Sequence, residues 1–501
     1  MAPIVFWSYL LSSVYLAAAV LLAVYGVNSM LLALLFFRSR GQATRAPRLT
    51  TLPAVTVQLP LYNERWVARR LLEAVAELDY PRSLLEVQVL DDSDDLTREI
   101  VDSVSARLRR RGINIRVLRR ENRAGYKAGA LAEGLRIATG ELVAIFDADF
   151  VPPRDWLRRV VPHLVANPRA GFLQTRWGHI NETYSAPTRA QTLALDGHFI
   201  VEQSARQRSG LLMNFNGSGG IWRRECIEQS GGWTARTLCE DLDLSYRAQM
   251  AGWSCLYLPE VVVPAEVPPT VSAFKSQQRR WATGSIQCLR HLAGPLLRSR
   301  LTLAQKLEGL VHLGGYLGHP LMLVLLLLSL PLLLLDGGVR FHLTFLGFAS
   351  LGPPTVYVIS QAVQGAKGWR RLSALPILIL LGTGMAVSNT RAVLRAFRSD
   401  GGVFQRTPKF SLVGQRGEWT GRRYLVGAES IPVGEVAAAL YALLCIAVAA
   451  ERGTYYAIPF MCLYLAGFAY VATSTWREGR AERSGERAAN LSSQPSRPWV
   501  R

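Results

Sequence analysis

The chain has 501 residues, half of them hydrophobic, and a formal net charge of +20 in which arginine dominates, with five lysines. That length exceeds one hydrophobic core, so two or more structural units are expected. The arginines cluster beside apolar stretches instead of alternating with aromatics, which argues against nucleic acid and for anionic membrane headgroups as partner.

Ile4 to Phe37 holds no charged residue, long enough to cross a bilayer with tilt. Charges follow this run instead of preceding it, and it is too long for a cleaved signal. Arg38, Arg40, Arg45 and Arg48 come next, and the positive-inside pattern places 38–308 in the cytoplasm. Further apolar stretches lie near 309–335, 341–362, 372–390, 431–450 and 455–475, so a polytopic membrane protein is expected. Lys367, Arg370 and Arg371 mark one loop as cytoplasmic, and Arg391, Arg395 and Arg398 mark the next. The stretch between them, or one of its neighbours, therefore lies in the interface or re-enters. The six cysteines show no metal-ligand spacing, and reduced thiols are expected.

From Ala54, strands Val55–Leu59, Leu85–Leu90, Ile113–Leu118 and Leu142–Phe146 alternate with helices over 64–78, 96–110 and 127–138. This predicts an α/β, Rossmann-like domain with a mainly parallel sheet. Right-handed crossovers bring the strand ends to one edge. Three of those ends are chemically loaded: Pro60-Leu-Tyr-Asn-Glu64, Asp91-Asp-Ser-Asp-Asp95 and Asp147-Ala-Asp149. Asp94 and Asp95 suit the first turn of the next helix, whereas Asp91 and Asp92 precede it and are better placed for a ligand. Clustered carboxylates repel unless a cation or donors lie between them. Asp147 and Asp149 can hold a hard divalent cation, and that cation a diphosphate, although Asp-x-Asp alone also caps turns.

Lys127 lies at a helix start inside the glycine-punctuated Asn122–Leu131, where a phosphate could meet it and free amides. In Leu238-Cys-Glu-Asp-Leu-Asp-Leu244, Glu240 and Asp241 are either acids of a helix N-terminus or a general base beside a sugar. Gln277, Arg280 and Trp281 share one helix face, which suits an interfacial helix, an active-site wall, or both.

In this order the motifs resemble the membrane-embedded family 2 glycosyltransferases, the bacterial cellulose synthase-like and mannan synthase-like proteins. That pattern comprises an Asp pair, Asp-x-Asp, an acid pair of the Thr-Glu-Asp type and Gln-x-x-Arg-Trp. Here these read Asp91-Asp92, Asp147-Ala-Asp149, Cys239-Glu240-Asp241 and Gln277-Gln-Arg-Arg280-Trp281. The resemblance implies a GT-A fold with Glu64, Asp91, Asp92, Lys127 and Asp147 toward the donor. It also implies Asp149 and Asp147 at a divalent cation, Mg2+ or Mn2+, and Asp241 with Glu240 as the catalytic acids. Gln277, Arg280 and Trp281 would line the acceptor and diphosphate site. Phe404-Gln-Arg-Thr-Pro-Lys409 resembles a gating loop of the Phe-x-Val-Thr-x-Lys type. Thr407 and Lys409 would close over the diphosphate when donor binds. Arg406 stands in the valine place and Cys239 in the threonine place.

The expected organisation is a transmembrane helix with basic flank (1–48), a GT-A domain (49–270) and interfacial helices (271–308). Then follow a transmembrane region (309–400), a gating-type loop (401–430), a transmembrane hairpin (431–476) and a basic, disordered tail (477–501). The expected function is inverting transfer of a hexose from UDP- or GDP-hexose to a growing β-linked polysaccharide, coupled to translocation. The setting would be the inner or plasma membrane, with lipids and accessory secretion subunits as further partners. One alternative glycosylates a membrane lipid once. Another is an inactive subunit of an exopolysaccharide secretion complex, which predicts erosion of at least one chemical position; none is eroded.

Overall fold

The structure, a computed structural model, describes residues 2–39, 47, 51–335, 350–404, 406–419 and 432–492. Arg40, Arg45 and Arg48, apolar residues 341–349, Gln405, loop residues 420–431 and the chain from 493 onward lie outside the described residues.

Among the described residues seven strands form one sheet: β1 (Val55–Leu61), β2 (Leu85–Asp91), β3 (Ile115–Leu118), β4 (Leu142–Ile145), β5 (Ala170–His179), β6 (Gly220–Arg223) and β7 (Ser254–Ala265). Their order is β3-β2-β1-β4-β6-β5-β7. The first four run parallel, β6 is antiparallel to both neighbours, and β7 is parallel to β5. The sheet is thus mostly parallel but mixed, and its second half was not legible as strands. β4 is a continuous apolar run, as suits a strand covered by helices on both faces. β1 and β2 instead alternate apolar residues with the buried Thr56, Gln58, Glu86 and Gln88, which bond to one another across the two strands. On one face Val57, Leu59 and Val87 pack with Leu71, Val101 and Val160; on the other Val143 and Ile145 meet Leu131 and Leu244.

Among the described residues four helices are long and apolar enough to cross a membrane: Val5–Arg38, Gly315–Leu334, Val433–Glu451 and Tyr455–Ala481. The stretch 372–390 is not a straight span, since Gly368–Gly384 and Ala386–Ala396 meet at 45°. Its first half packs closely on the last helix, where a Cβ on Gly384 would stand 2.3 Å from the Gly467 carbonyl oxygen. Of the expected stretch 341–362, the described part is the helix Gly352–Val363. At about 1.5 Å per residue that helix alone is too short for a hydrocarbon core of about 30 Å. The last helix runs on to Ser492, so 477–492 is helical where a disordered tail was expected.

Candidate active site

The carboxyl ends of β1, β2 and β4 open on one edge, where open α/β sheets bind ligands. At the end of β2, Asp91 and Asp92 each have an arginine. Arg119 Nη2 lies 2.9 Å from Asp91 Oδ2. Arg120 grips Asp92 with both Nε, at 3.0 Å, and Nη2. Arg120 also donates to the carbonyls of Ala124 and Tyr126, fastening the turn before Lys127 to the β2 end. Asp92 lines the central cavity, but Asp91 is buried beneath it and is a support, not the donor contact expected of it. Asp95 caps the next helix by accepting from the Thr97 amide at 2.9 Å.

Glu64 follows β1 and faces the same cavity. Arg406 Nη1, 3.4 Å away, favours its ionised form, but burial wins and pushes the carboxyl up to about 8.

Asp147 and Asp149 follow β4. The Asp147 amide donates to Ser218 Oγ at 2.8 Å, and its carboxylate takes Lys127 Nζ at 2.7 Å. Lys127 also donates to the Gly217 carbonyl at 2.9 Å and stands 3.7 Å from Glu240. Burial disfavours the ammonium, yet Asp147 and Glu240 outweigh it and hold Lys127 above its usual range. Asp149 Oδ2 accepts from Lys409 Nζ at 2.7 Å and from the Glu266 amide at 3.0 Å. Glu266 in turn takes Arg70 Nη2 at 2.6 Å and the Phe410 amide at 3.1 Å. Two adjacent carboxylates completed by phosphate oxygens are a fitting donor set for Mg2+ or Mn2+. Among the described residues no group of three or more His, Cys, Asp or Glu could cage an ion without a substrate.

Glu240 and Asp241 open the helix Glu240–Met250, where the dipole favours acids. Asp241 keeps some contact with the cavity, but the protein around it desolvates it. Burial and then Glu240 push its carboxyl up to about 7, against the pull of Lys127. The backbone at Gly217 comes so near that a Cβ there would lie 2.6 Å from Asp241 Oδ2, and its φ of +80° also calls for glycine.

Gln277, Arg280 and Trp281 line the cavity from the helix Val271–Arg298. This helix is fastened to the membrane segments. Glu478 accepts from the amides of Val271, at 2.6 Å, and Ser272, at 2.8 Å, while Lys275 pairs with Glu435 at 2.5 Å. Arg280 stacks over Phe404, 4.5 Å from the ring centroid, and in the 404–409 segment Phe404, Arg406, Thr407 and Lys409 all line the cavity. Arg406, the residue in the valine place, bonds the Asn63 carbonyl and pairs with Glu64, which ties the segment to the β1 end. Thr407 is buried, and its Oγ1 has no hydrogen-bond partner among the described residues. Lys409 was expected to find its partner in a bound diphosphate; instead it already holds Asp149.

Residues 53–284 match the profile described as glycosyltransferase like family 2. Glucomannan 4-beta-mannosyltransferase 2 of Arabidopsis thaliana is 44% identical over 252 residues, 50% of this chain and 47% of that protein. Probable glucomannan 4-beta-mannosyltransferase 2 of Oryza sativa subsp. japonica is 34% identical over 346 residues, 68% of this chain and 59% of that protein. The chain spans about half the length of the curated relatives it matches. These relatives are plant proteins, so the bacterial setting expected from the motifs gains no support. Mannosyltransferase PcManGT from Pyrobaculum calidifontis, solved with GDP-Man and Mn2+, aligns with a TM-score of 0.51 at 24% identity, over 76% of this chain and 98% of its own. The fold is GT-A.

Within the GT-A domain, several cavity residues escaped the sequence reading. Trp177 and His179 close β5, Glu266 follows β7, and Asn216 and Gly217 precede β6. The glycine-rich Asn216-Gly-Ser-Gly-Gly220 was a visible signal. Arg119 and Arg120 were not, because a pair of arginines in an arginine-rich chain does not stand out. All six cysteines are unpaired, as expected.

Proposed function

We propose that this chain is an inverting, metal-dependent hexosyltransferase that extends a β-linked glycan from a nucleotide-sugar at the cytoplasmic face of a cell membrane. GDP-mannose is the first candidate donor, by analogy with the named activities of the plant relatives and the ligand of the Pyrobaculum enzyme. One observation carries the reading: Lys127 bridges Asp147 and Glu240, so the Asp-x-Asp end of the donor site and the acid pair share one cation.

In this reading Glu64 and Asp92 meet the nucleoside, and Asp147 and Asp149 hold the divalent ion. When bound, that ion supplies charge neutralisation on the leaving diphosphate. Asp241 accepts the proton of the acceptor hydroxyl as its oxygen attacks the anomeric carbon in line, and the bond from that carbon to the diphosphate oxygen breaks. Lys127, Arg280 and Lys409 face the charge that develops there. A carboxyl near 7 suits a base at neutral pH. The bonds from the Gln277-Arg280-Trp281 helix to Glu435 and Glu478 support delivery of the product to the membrane segments.

The test is to incubate purified protein in lipid nanodiscs with GDP-mannose, UDP-glucose and Mn2+ or Mg2+, then size the products. A ladder cleaved by an enzyme specific for β-1,4 links is the expected outcome. A lipid carrying one sugar would overturn the polymer reading, and no turnover with any donor would overturn the enzyme.

A further inference from the structure

Among the polar residues of the cavity that take no part in the steps above is His179. His179 ends β5, in register with Ala265 of β7, and lines the cavity beside Trp177 and Leu195. Its side chain is 4% exposed, and Nε2 is buried with no hydrogen-bond partner among the described residues. Asp196 Oδ1 stands 4.0 Å away, beyond hydrogen-bond reach. Asp196 is not free to swing closer. Its Oδ2 accepts from Gln361 at 3.0 Å, Gln364 at 2.9 Å and Arg371 at 3.2 Å, and Arg371 is also paired with Glu182. The wall behind His179 is therefore braced by the segments Gly352–Val363 and Ala366–Arg371.

Burial, helped by Arg371 and Arg176, outweighs Asp196 and lowers the imidazole to about 4. The ring is neutral at working pH and carries one donor and one acceptor nitrogen. A buried polar atom without a partner is costly, so such an atom on a cavity wall fits a ligand that brings the missing group. A sugar hydroxyl both donates and accepts, which matches a neutral imidazole. Trp177 spends its indole N–H on the Ser218 carbonyl at 3.0 Å and so offers the cavity its apolar ring. Glu64, Asp92, Asp147 and Asp149 belong to β1, β2 and β4, whereas β5 lies beyond β4 and β6 in the sheet.

We propose that His179 is a specificity-determining contact for the acceptor, its unpartnered ring nitrogen hydrogen-bonding a hydroxyl of the glycan's terminal sugar. This rests on the glycosyltransferase reading above. His179→Phe keeps a flat aromatic ring, somewhat larger, and removes both nitrogens, while His179→Gln keeps a donor and an acceptor. With GDP-mannose as donor and β-1,4-linked mannohexaose as acceptor, the acceptor KM should rise about tenfold in His179→Phe, the worth of one hydrogen bond. His179→Gln should recover part of that loss. Donor affinity and acceptor-free donor hydrolysis should not change in either variant. An unchanged acceptor KM in His179→Phe overturns the contact, as does a loss of donor affinity, which would mark a structural or donor-side role. If the unsubstituted protein turns over no donor, the glycosyltransferase reading fails by itself. Mannohexaose binding then judges His179 separately, and equal affinity of both chains would sink the contact.

Discussion

Asp92 and Asp241 face one cavity from opposite circumstances. At the β2 end both Asp92 oxygens accept from the guanidinium of Arg120. At the start of the helix Glu240–Met250, Asp241 has a second carboxylate beside it and a lysine already bonded to Asp147. Side chains of one chemistry are thereby divided into a charge-paired carboxylate on the donor side and a proton acceptor. The division comes from how many cations each carboxylate must share, not from residue type.

The sharpest test of that division is Asp241→Asn. An amide fills the same volume but cannot take a proton, so kcat should fall about 10³-fold while donor affinity stays. Retention of most activity would put the base elsewhere. Asp149→Ala should act on the other side of the contrast, weakening cation-dependent donor binding by about 10²-fold in titrations with Mn2+, as loss of a metal-anchoring carboxylate does. Binding equal to that of the parent chain would remove Asp149 from the ion. The pH dependence should be smaller. Asp241 must be unprotonated to act, so with its carboxyl near 7, kcat/KM should climb about tenfold from pH 6 to pH 8 and then level off. A profile that falls over this range would contradict a carboxylate base. Lys409→Ala frees Asp149 from its lysine and should slow turnover about fivefold with membrane insertion intact, as for one lost charge-assisted contact. Parental kinetics in that variant would reduce 401–412 to a surface loop.

These residues also show how far the sequence carried. The parallel half of the GT-A domain was legible because β4 is an apolar run, and β1 and β2 are Val- and Leu-rich stretches, all alternating with helices. The other half was hidden. β6 has four residues, while β7 contains Pro259 and Pro264 and slips register against Thr175 and Arg176. Asp92, Asp147, Asp149 and Asp241 were found by type and position, and all four line the cavity. Asp91 misled, since adjacent strand residues point opposite ways and one of any such pair must leave the cavity. Glu266 and His179 were invisible because each reaches the site from a strand whose place in the sheet depends on long-range pairing.

The capping of the helix Val271–Arg298 by Glu478 bears on how the protein is handled. The carboxylate holds two main-chain donors and the Ser272 hydroxyl, the latter at 2.6 Å, across a separation of about 200 residues in the chain. Trimming the C-terminal segment as dispensable would strip those donors of their acceptor. The helix that presents Gln277, Arg280 and Trp281 would then keep near its start the Lys275–Glu435 pair and the Thr270 cap. An affinity tag is better placed beyond Ser492, or at the other terminus, than in exchange for the arginine-rich turns around Glu478.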